Sequence, residues 1–257
     1  MSYSSVTHRL KQPIEAADYQ VCSDFIVDKI ETIIQQAMNS GNNKIIINTN
    51  LKRGIPMENV NKIAGPFVEA WAYETFVDAF NGNSNQYDLI NVETGARLDM
   101  ADIILQFKKK RSRSSSVAGH VDVKATSKDI KNSGKSPNIT SYARIRSAYV
   151  EDPDYIFIVL SIKHQVSSTK DPKTNMMMGI MEAVDFNAYD LKFISDRDIS
   201  YNPALGTGQL QIRDIHYVSK QIRSTWDFCQ LLDQKYIASK KGFVEWSTLA
   251  NKKEWII

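Results

Sequence analysis

Residues 98–127, LDMADIILQFKKKRSRSSSVAGHVDVKATS, constrain the fold of this chain more than any other stretch. The apolar run at 101–107 is too short for a helix and has the β-branched content of a buried strand. A basic, serine-rich turn then leads into a second run at 117–126. Two such runs joined by such a turn predict a β-hairpin. In the second run Val121 and Val123 alternate with His120, Asp122 and Lys124, so a strand places the valines on one face and the three polar side chains on the other. If Asp102, on the neighbouring strand, also faces outward, two carboxylates and an ammonium converge at one sheet edge. Such a cluster can hold Mg²⁺ beside a phosphodiester, so the pattern predicts a metal-dependent nuclease site.

The triplet Asp-x-Lys is weak by itself, because the chain has five, starting at Asp122, Asp129, Asp171, Asp190 and Asp233. Asp129 lies in a polar Asn/Ser/Gly segment, Asp171 precedes a proline that denies a central strand its donor, and Asp233 falls in a helical pattern. Asp190-Leu191-Lys192 also alternates, and residues 189–194 read as a strand, but no preceding strand with an outward acid is joined to it by a turn. The bland alternative for Asp122 is a half-buried strand with a polar outer face.

Composition sets limits without choosing a function. The 257 residues are 42% apolar and 24% charged, enough to bury a sizeable core. With 32 Lys and Arg against 29 Asp and Glu, any affinity for nucleic acid must come from local clustering. Cys22 and Cys229 stand alone without CxxC spacing, which argues against a zinc site or a disulfide scaffold and fits a reducing cytosol. The beginning of the chain lacks the pattern of a secretory signal, and no run is apolar enough to span a membrane; the expected location is cytoplasmic.

Along the chain, residues 21–38 place Ile26, Ile30, Ile33, Ala37 and Met38 on one helical stripe that covers the sheet or a partner. A short apolar run at 45–47 leads into a loop made basic by Lys52 and Arg53. A helical pattern from Asn59 meets Gly65-Pro66, a kink or a fresh start, and continues to Phe80 with Glu69 and Glu74 among its acids. NGNSNQ reads as a loop and 87–92 as a strand. The hairpin tip, residues 108–113, is a solvated turn or a phosphate contact. After a polar loop ending at Pro137-Asn138, helical spacing from Ile139 to Tyr149 follows, with Asn138 a potential cap. Residues 155–163 form the most apolar run and predict a central strand, followed by a loop at 165–175 and by methionines 176–178 as core filler. SYNPALGTGQ at 200–209 is too rich in Gly, Pro and Asn for an element and reads as a binding loop or a turn. Helices over 222–241 and 243–255 close the chain. The expected architecture is α/β or α+β, one domain over 1–257 with a central mixed sheet flanked by helices and helical segments at both ends.

The strings IIINTNLK at 45–52, NVNKIAGP at 59–66, DIILQF at 102–107, VDVKATS at 121–127, SGKSPNITS at 133–141 and SYNPALGTGQ at 200–209 resemble the HpaI family of type II restriction endonucleases. More distantly, the layout of an acid, D-V-K and a P-N-I loop resembles the HincII- and EcoRV-like branch of the PD-(D/E)XK nucleases. Ala101 stands where the general motif has proline. The resemblance implies a restriction-endonuclease-like fold and a homodimer that cuts both strands of double-stranded DNA with Mg²⁺, at a palindromic GTTAAC site cut centrally to blunt ends. The resemblance implies no small-molecule cofactor. It also implies Asp102, Asp122 and the Val123 carbonyl as metal ligands, Lys124 as the group facing the attacking water, and Glu69 as an additional acid or a solvated helix carboxylate. Lys135, Asn138, Thr140, Asn202, Ala204 and Lys52 are then the DNA-binding candidates, with Asn138 and Asn202 suited to the adenine edge. The stripe at Ile26, Ile30 and Ile33 is a candidate dimer interface. Two other readings stay open on the same fold: a catalytically silent sequence-specific DNA-binding protein and a structure-selective repair nuclease.

Overall fold

In the computed structural model, which describes residues 2–53, 57–96, 99–109, 116–204, 206 and 208–257, the predicted hairpin is present; of residues 57, 58 and 83–85 the backbone alone is described. In chain order the elements are α1 (Tyr3–Val6), α2 (Tyr19–Asn39), β1 (Lys44–Asn48), α3 (Met57–Lys62), α4 (Ala64–Tyr87), β2 (Leu89–Thr94), β3 (Ile103–Lys108), β4 (Ser116–Ser127), β5 (Asn138–Ser141), α5 (Tyr142–Glu151), β6 (Ile156–Lys170), β7 (Met177–Asp190), β8 (Ile199–Asn202), β9 (Gln209–Ile212), α6 (Thr225–Ile237) and α7 (Gly242–Lys252). The chain divides into two compact units: Met1–Ser23, Lys135–Phe157 and Asp190–Ile257 form the first, Asp24–Gly134 and Ile158–Tyr189 the second. Among the described residues no helix is long and apolar enough to cross a membrane.

The second unit is built on a sheet of order β1-β7-β6-β4-β3-β2. β1 with β7, β2 with β3 and β3 with β4 are antiparallel. Between β4 and β6, Lys128 N donates to His164 O at 2.8 Å and Thr126 Oγ1 to Ile162 O at 3.4 Å. Residue numbers therefore rise together, the mark of a parallel pair, and the sheet is mixed as expected. Ile158, Val159 and Leu160 in β6 are fully buried, which is why this strand reads as an unbroken apolar run. β6 continues through 165–170, read from sequence as loop: its last four residues are exposed, and ladder pairing rather than burial keeps them extended. Met176, Met177 and Met178 are half-buried and fill no core gap.

Helix α2 lies over β4, where Gly119 leaves room for it; a Cβ there would sit 2.7 Å from Ile26 Cγ2. Ile26 and Ile30 are 0% exposed and Ile33 is 2% exposed. The stripe is thus consumed within the chain, and the expectation that it offers a dimer interface is corrected. Helix α4 starts afresh, with Pro66 in its first turn, where a missing N–H costs nothing. It then runs through NGNSNQ, read as a loop, because buried Tyr87 anchors its far end by a hydrogen bond to Gln36 Oε1. Tertiary anchoring overrides weak propensity there.

The first unit carries the three-stranded sheet β5-β9-β8, antiparallel throughout. SYNPALGTGQ is not free of structure: it holds most of β8 and the start of β9. Gly208 has φ +84°, and a Cβ on it would meet the Tyr201 hydroxyl at 2.0 Å, so only glycine serves. Asn138 opens β5, and Ser141 occupies the N-cap position of α5, which removes the cap reading of Asn138. The core holds Tyr142, Ile145, Tyr149, Phe228, Leu232, Trp246 and Trp255, all fully buried. Inside it the Arg146–Asp233 pair, 3.2 Å apart and excluded from solvent, is completed by the hydroxyls of Tyr142 (2.5 Å) and Tyr3 (2.9 Å) donating to Asp233. α6 starts at a capping box of Ser224 and Asp227. Cys22 and Cys229 are buried free thiols.

Candidate active site

The regular pairing of β3 with β4 ends at Ile103↔Val121. Ile103, Leu105, Phe107 and Val121 are buried, so the partner positions of opposite parity, Asp102 with Asp122 and Lys124, share the other face. Backbone bonds fix Asp102 before its side chain acts. Asp102 N donates to Val121 O at 2.9 Å, and Gly95 N donates to Asp102 O at 2.8 Å. Gly95 is required for this approach, since its Cβ would fall 1.9 Å from Ala101 O. Ala101 is 5% exposed and packs in the core.

The Asp102 carboxylate reaches across to β4 and accepts from Val123 N at 2.7 Å. In an extended strand the N–H and C=O of one residue point to the same side, so the Val123 carbonyl borders the same edge as Asp102. Lys124 Nζ donates to Asp122 Oδ1 at 2.8 Å. Asp122 itself is 4% exposed, and its Oδ2 has no hydrogen-bond partner. Burial pushes the Asp122 carboxyl up to about 7; Lys124 opposes the rise, and the charges of Asp102 and Glu69 add to it. Glu69 projects from α4 and is raised by its own burial and by Asp102, with Lys124 opposing. Glu69 and Asp102 line one cavity of about 460 Å³ together with Tyr73, Asp99 and Ala101. The four charged groups that the sequence singled out therefore form one cluster, and Glu69 belongs to it.

A hard cation takes oxygen ligands. The carboxylates of Asp102 and Asp122 and the Val123 carbonyl are all oxygen donors, and the buried, unpartnered Asp122 Oδ2 is an atom that a bound cation would satisfy. Among the described residues no three His, Cys, Asp or Glu side chains are arranged to hold a metal by themselves.

The remaining triplets do other work. Asp190-Leu191-Lys192 is not a strand: β7 ends at Asp190, which caps a 3-10 turn over Leu191–Phe193. Asp129 accepts from Val166 N at 3.1 Å, Asp171 closes a turn on Lys173 N at 2.9 Å, and Asp233 is paired with Arg146.

The DNA-binding candidates divide between the units. Lys52 is an exposed turn residue of the second unit, while Lys135, Asn138, Thr140, Asn202 and Ala204 belong to the first. Lys135 pairs with Asp214. Asn138 is exposed and its Oδ1 accepts from Gln211 Nε2 at 3.0 Å. Asn202 Oδ1 accepts from Ala204 N at 3.0 Å, the turn-forming bond expected of an Asn before Pro. Thr140 is 6% exposed, turned inward at the bulge between Asn138 and Ser141. The basic tip at 110–113 lies outside the described residues. Gly95 carries no signal in the sequence, because the need for it shows only against the neighbouring backbone.

The model of the family "Type II restriction endonuclease HpaI" matches residues 6–254. The type II restriction enzyme HpaI of Haemophilus parainfluenzae is 54% identical over 257 residues, which are 100% of this chain and 99% of that protein. A mixed central sheet flanked by helices agrees with a restriction-endonuclease-like fold. The chain belongs to the HpaI family of type II restriction endonucleases, site-specific deoxyribonucleases.

Proposed function

We propose that Asp102, Asp122 and Lys124 cut both strands of duplex DNA at a palindromic site, GTTAAC, centrally and to blunt ends, in an Mg²⁺-dependent hydrolysis. The observation that carries the chemistry is the buried Asp122 carboxylate with one oxygen on Lys124 and the other unpartnered. Asp102, Asp122 and the Val123 carbonyl would hold the ion, with Glu69 an additional acid of the same cluster. When bound, Mg²⁺ supplies Lewis-acid stabilisation of the charge that develops on the phosphate. Lys124, its side chain 24% exposed, can hydrogen-bond the attacking water and hold it in line with the scissile bond. Asp102, bonded to Val123 N, keeps the strand between the acid and the lysine in one position. The products carry 5′-phosphate and 3′-hydroxyl ends.

Lys135, Asn138, Asn202, Ala204 and Lys52 are proposed contacts to DNA, Asn138 and Asn202 to adenine edges; Thr140 stays in the proposal as part of its strand, its side chain being buried. A two-fold site cut on both strands calls for a C2 homodimer, and the cytoplasm is the compartment where such an enzyme meets DNA. The whole of 1–257 serves as one endonuclease domain in this reading. Digestion of a plasmid carrying one GTTAAC site with Mg²⁺ tests it. Discrete linear product supports the proposal; a smear indicates a structure-selective nuclease, and intact plasmid a silent DNA-binding protein.

A further inference from the structure

The small sheet of the first unit has two unlike faces. Ile199, Leu210 and Ile212 are buried at 2% exposure or less, and Tyr201 pairs with Leu210 on that same side. The other face follows from the register. Gln211 lies opposite Asn138 on β5 and opposite Ser200 on β8, and Gln209 lies opposite Ser141 and Asn202. Residues directly opposite one another in antiparallel strands share a face. Asn138 and Asn202, on separate segments of sequence, therefore sit on one uncharged polar face with Gln211 and Gln209 between them. Partial exposure of both glutamines leaves that face reachable.

The amide of Gln211 is fixed in one orientation. Its Nε2 donates to Ser136 O at 3.0 Å and to Asn138 Oδ1 at 3.0 Å. An amide nitrogen has two hydrogens, so both are spent, and what Gln211 can offer a ligand is its carbonyl oxygen. The same bond takes up an acceptor site on Asn138, whose Nδ2 remains the donor. Side by side, the pair presents one acceptor and one donor. That is the complement of the adenine N6–H and N7 edge, ordinarily read by a single Asn or Gln.

We propose that Gln211 is a specificity-determining residue: with Asn138 it reads one adenine, Gln211 Oε1 accepting from N6–H while Asn138 Nδ2 donates to N7. The proposal rests on the reading of Asn138 as a base contact. Gln211 also sets that contact, because with its N–H groups committed the Asn138 amide cannot turn over without placing N–H against N–H. An A·T pair is then favoured over G·C at that position, since the guanine O6 would meet the Gln211 oxygen.

The test compares Gln211→Met, which keeps length and removes the amide, with Asn138→Ala and Gln209→Met. Each is assayed by single-turnover cleavage of oligonucleotide duplexes carrying GTTAAC or each single-base change of its half-site, with the thermal midpoint as control. Gln211→Met is expected to reduce the preference for the cognate duplex about tenfold or more at one A·T position, with the midpoint within a few degrees. Asn138→Ala should relax the same position, and Gln209→Met should leave that position unchanged. If Asn138→Ala relaxes a position while Gln211→Met leaves every ratio unchanged, the inference fails and the Asn138 reading stands. If neither ratio changes, both fail. A Gln211→Met protein that loses its midpoint while keeping its ratios makes Gln211 a structural strut and overturns the inference as well.

Discussion

Asp122-Val123-Lys124 and Asp190-Leu191-Lys192 are the same triplet in different states of satisfaction. Both aspartates are 4% exposed, and burial raises both carboxyls. Asp190 is fully occupied: Oδ2 accepts from Ser23 Oγ at 2.6 Å and from Tyr19 Oη at 3.0 Å, and Oδ1 from Lys192 N at 2.9 Å. The Lys192 ammonium goes elsewhere, to Thr225 Oγ1 at 3.0 Å and Glu15 at 3.5 Å, above the Tyr19 ring. Asp122 instead keeps one oxygen without a partner and its lysine on the other. The cause is backbone geometry. In β4 positions i and i+2 face the same way, so ammonium meets carboxylate, whereas at Asp190 the strand turns into a 3-10 helix and the backbone N–H of Lys192 meets it. What distinguishes the two buried acids is the Asp122 oxygen left without a partner.

The largest expected effect separates the two lysines in catalysis. Lys124→Ala should lower single-turnover cleavage by about a thousandfold or more while duplex binding, measured by gel shift in Ca²⁺, stays within about tenfold; Lys192→Met should cut at close to the parental rate if folded. Cleavage by Lys124→Ala near the parental rate removes the assignment. The next effect runs the other way, in stability. Asp190→Ala strands the Tyr19 and Ser23 hydroxyls and should cost about 3 kcal/mol in urea unfolding, whereas Asp122→Asn should cost far less. Equal losses at the two positions would erase the contrast.

A third comparison uses pH. The Asp122 carboxyl stands at about 7 in the folded protein against an ordinary 3.8. The folded state thus holds this proton more tightly than the unfolded chain. Its contribution to metal-free stability is complete below pH 3.8 and is lost as pH rises through about 7. Asp122→Asn should therefore make the urea midpoint fall less steeply between pH 5 and 8, and an unaltered slope would show that another group carries the dependence. The smallest effect is on metal binding. The proton must leave before a cation binds, so Mg²⁺ affinity by calorimetry should strengthen with pH up to about 7 and level off above it, and Lys192→Met should not change that curve. A pH-independent affinity would place the ion away from Asp122.

Much of this was legible in the sequence where one local rule acted alone. Alternation at Val121 and Val123 located β4 and the face of Asp122 and Lys124, and the apolar run at 155–163 located the central strand, because the period of a strand depends on neighbours along the chain. Segments held by distant partners were misread. NGNSNQ stays helical because Tyr87 is anchored, 165–170 stays extended because a ladder continues, and SYNPALGTGQ holds strand residues because Gly208 fits under Tyr201.

The sequence by itself determined the hairpin, its polar face, and the family to which it belongs. Tertiary structure decided which Asp-x-Lys keeps an unpartnered carboxylate oxygen, that the Ile26 stripe lies over Gly119, that Gly95 clamps Asp102, and that Gln211 stands beside Asn138. The reason is range: a strand's period is written into adjacent residues, while the satisfaction of a buried oxygen depends on groups as far along the chain as Tyr19 is from Asp190, and only folding brings those together.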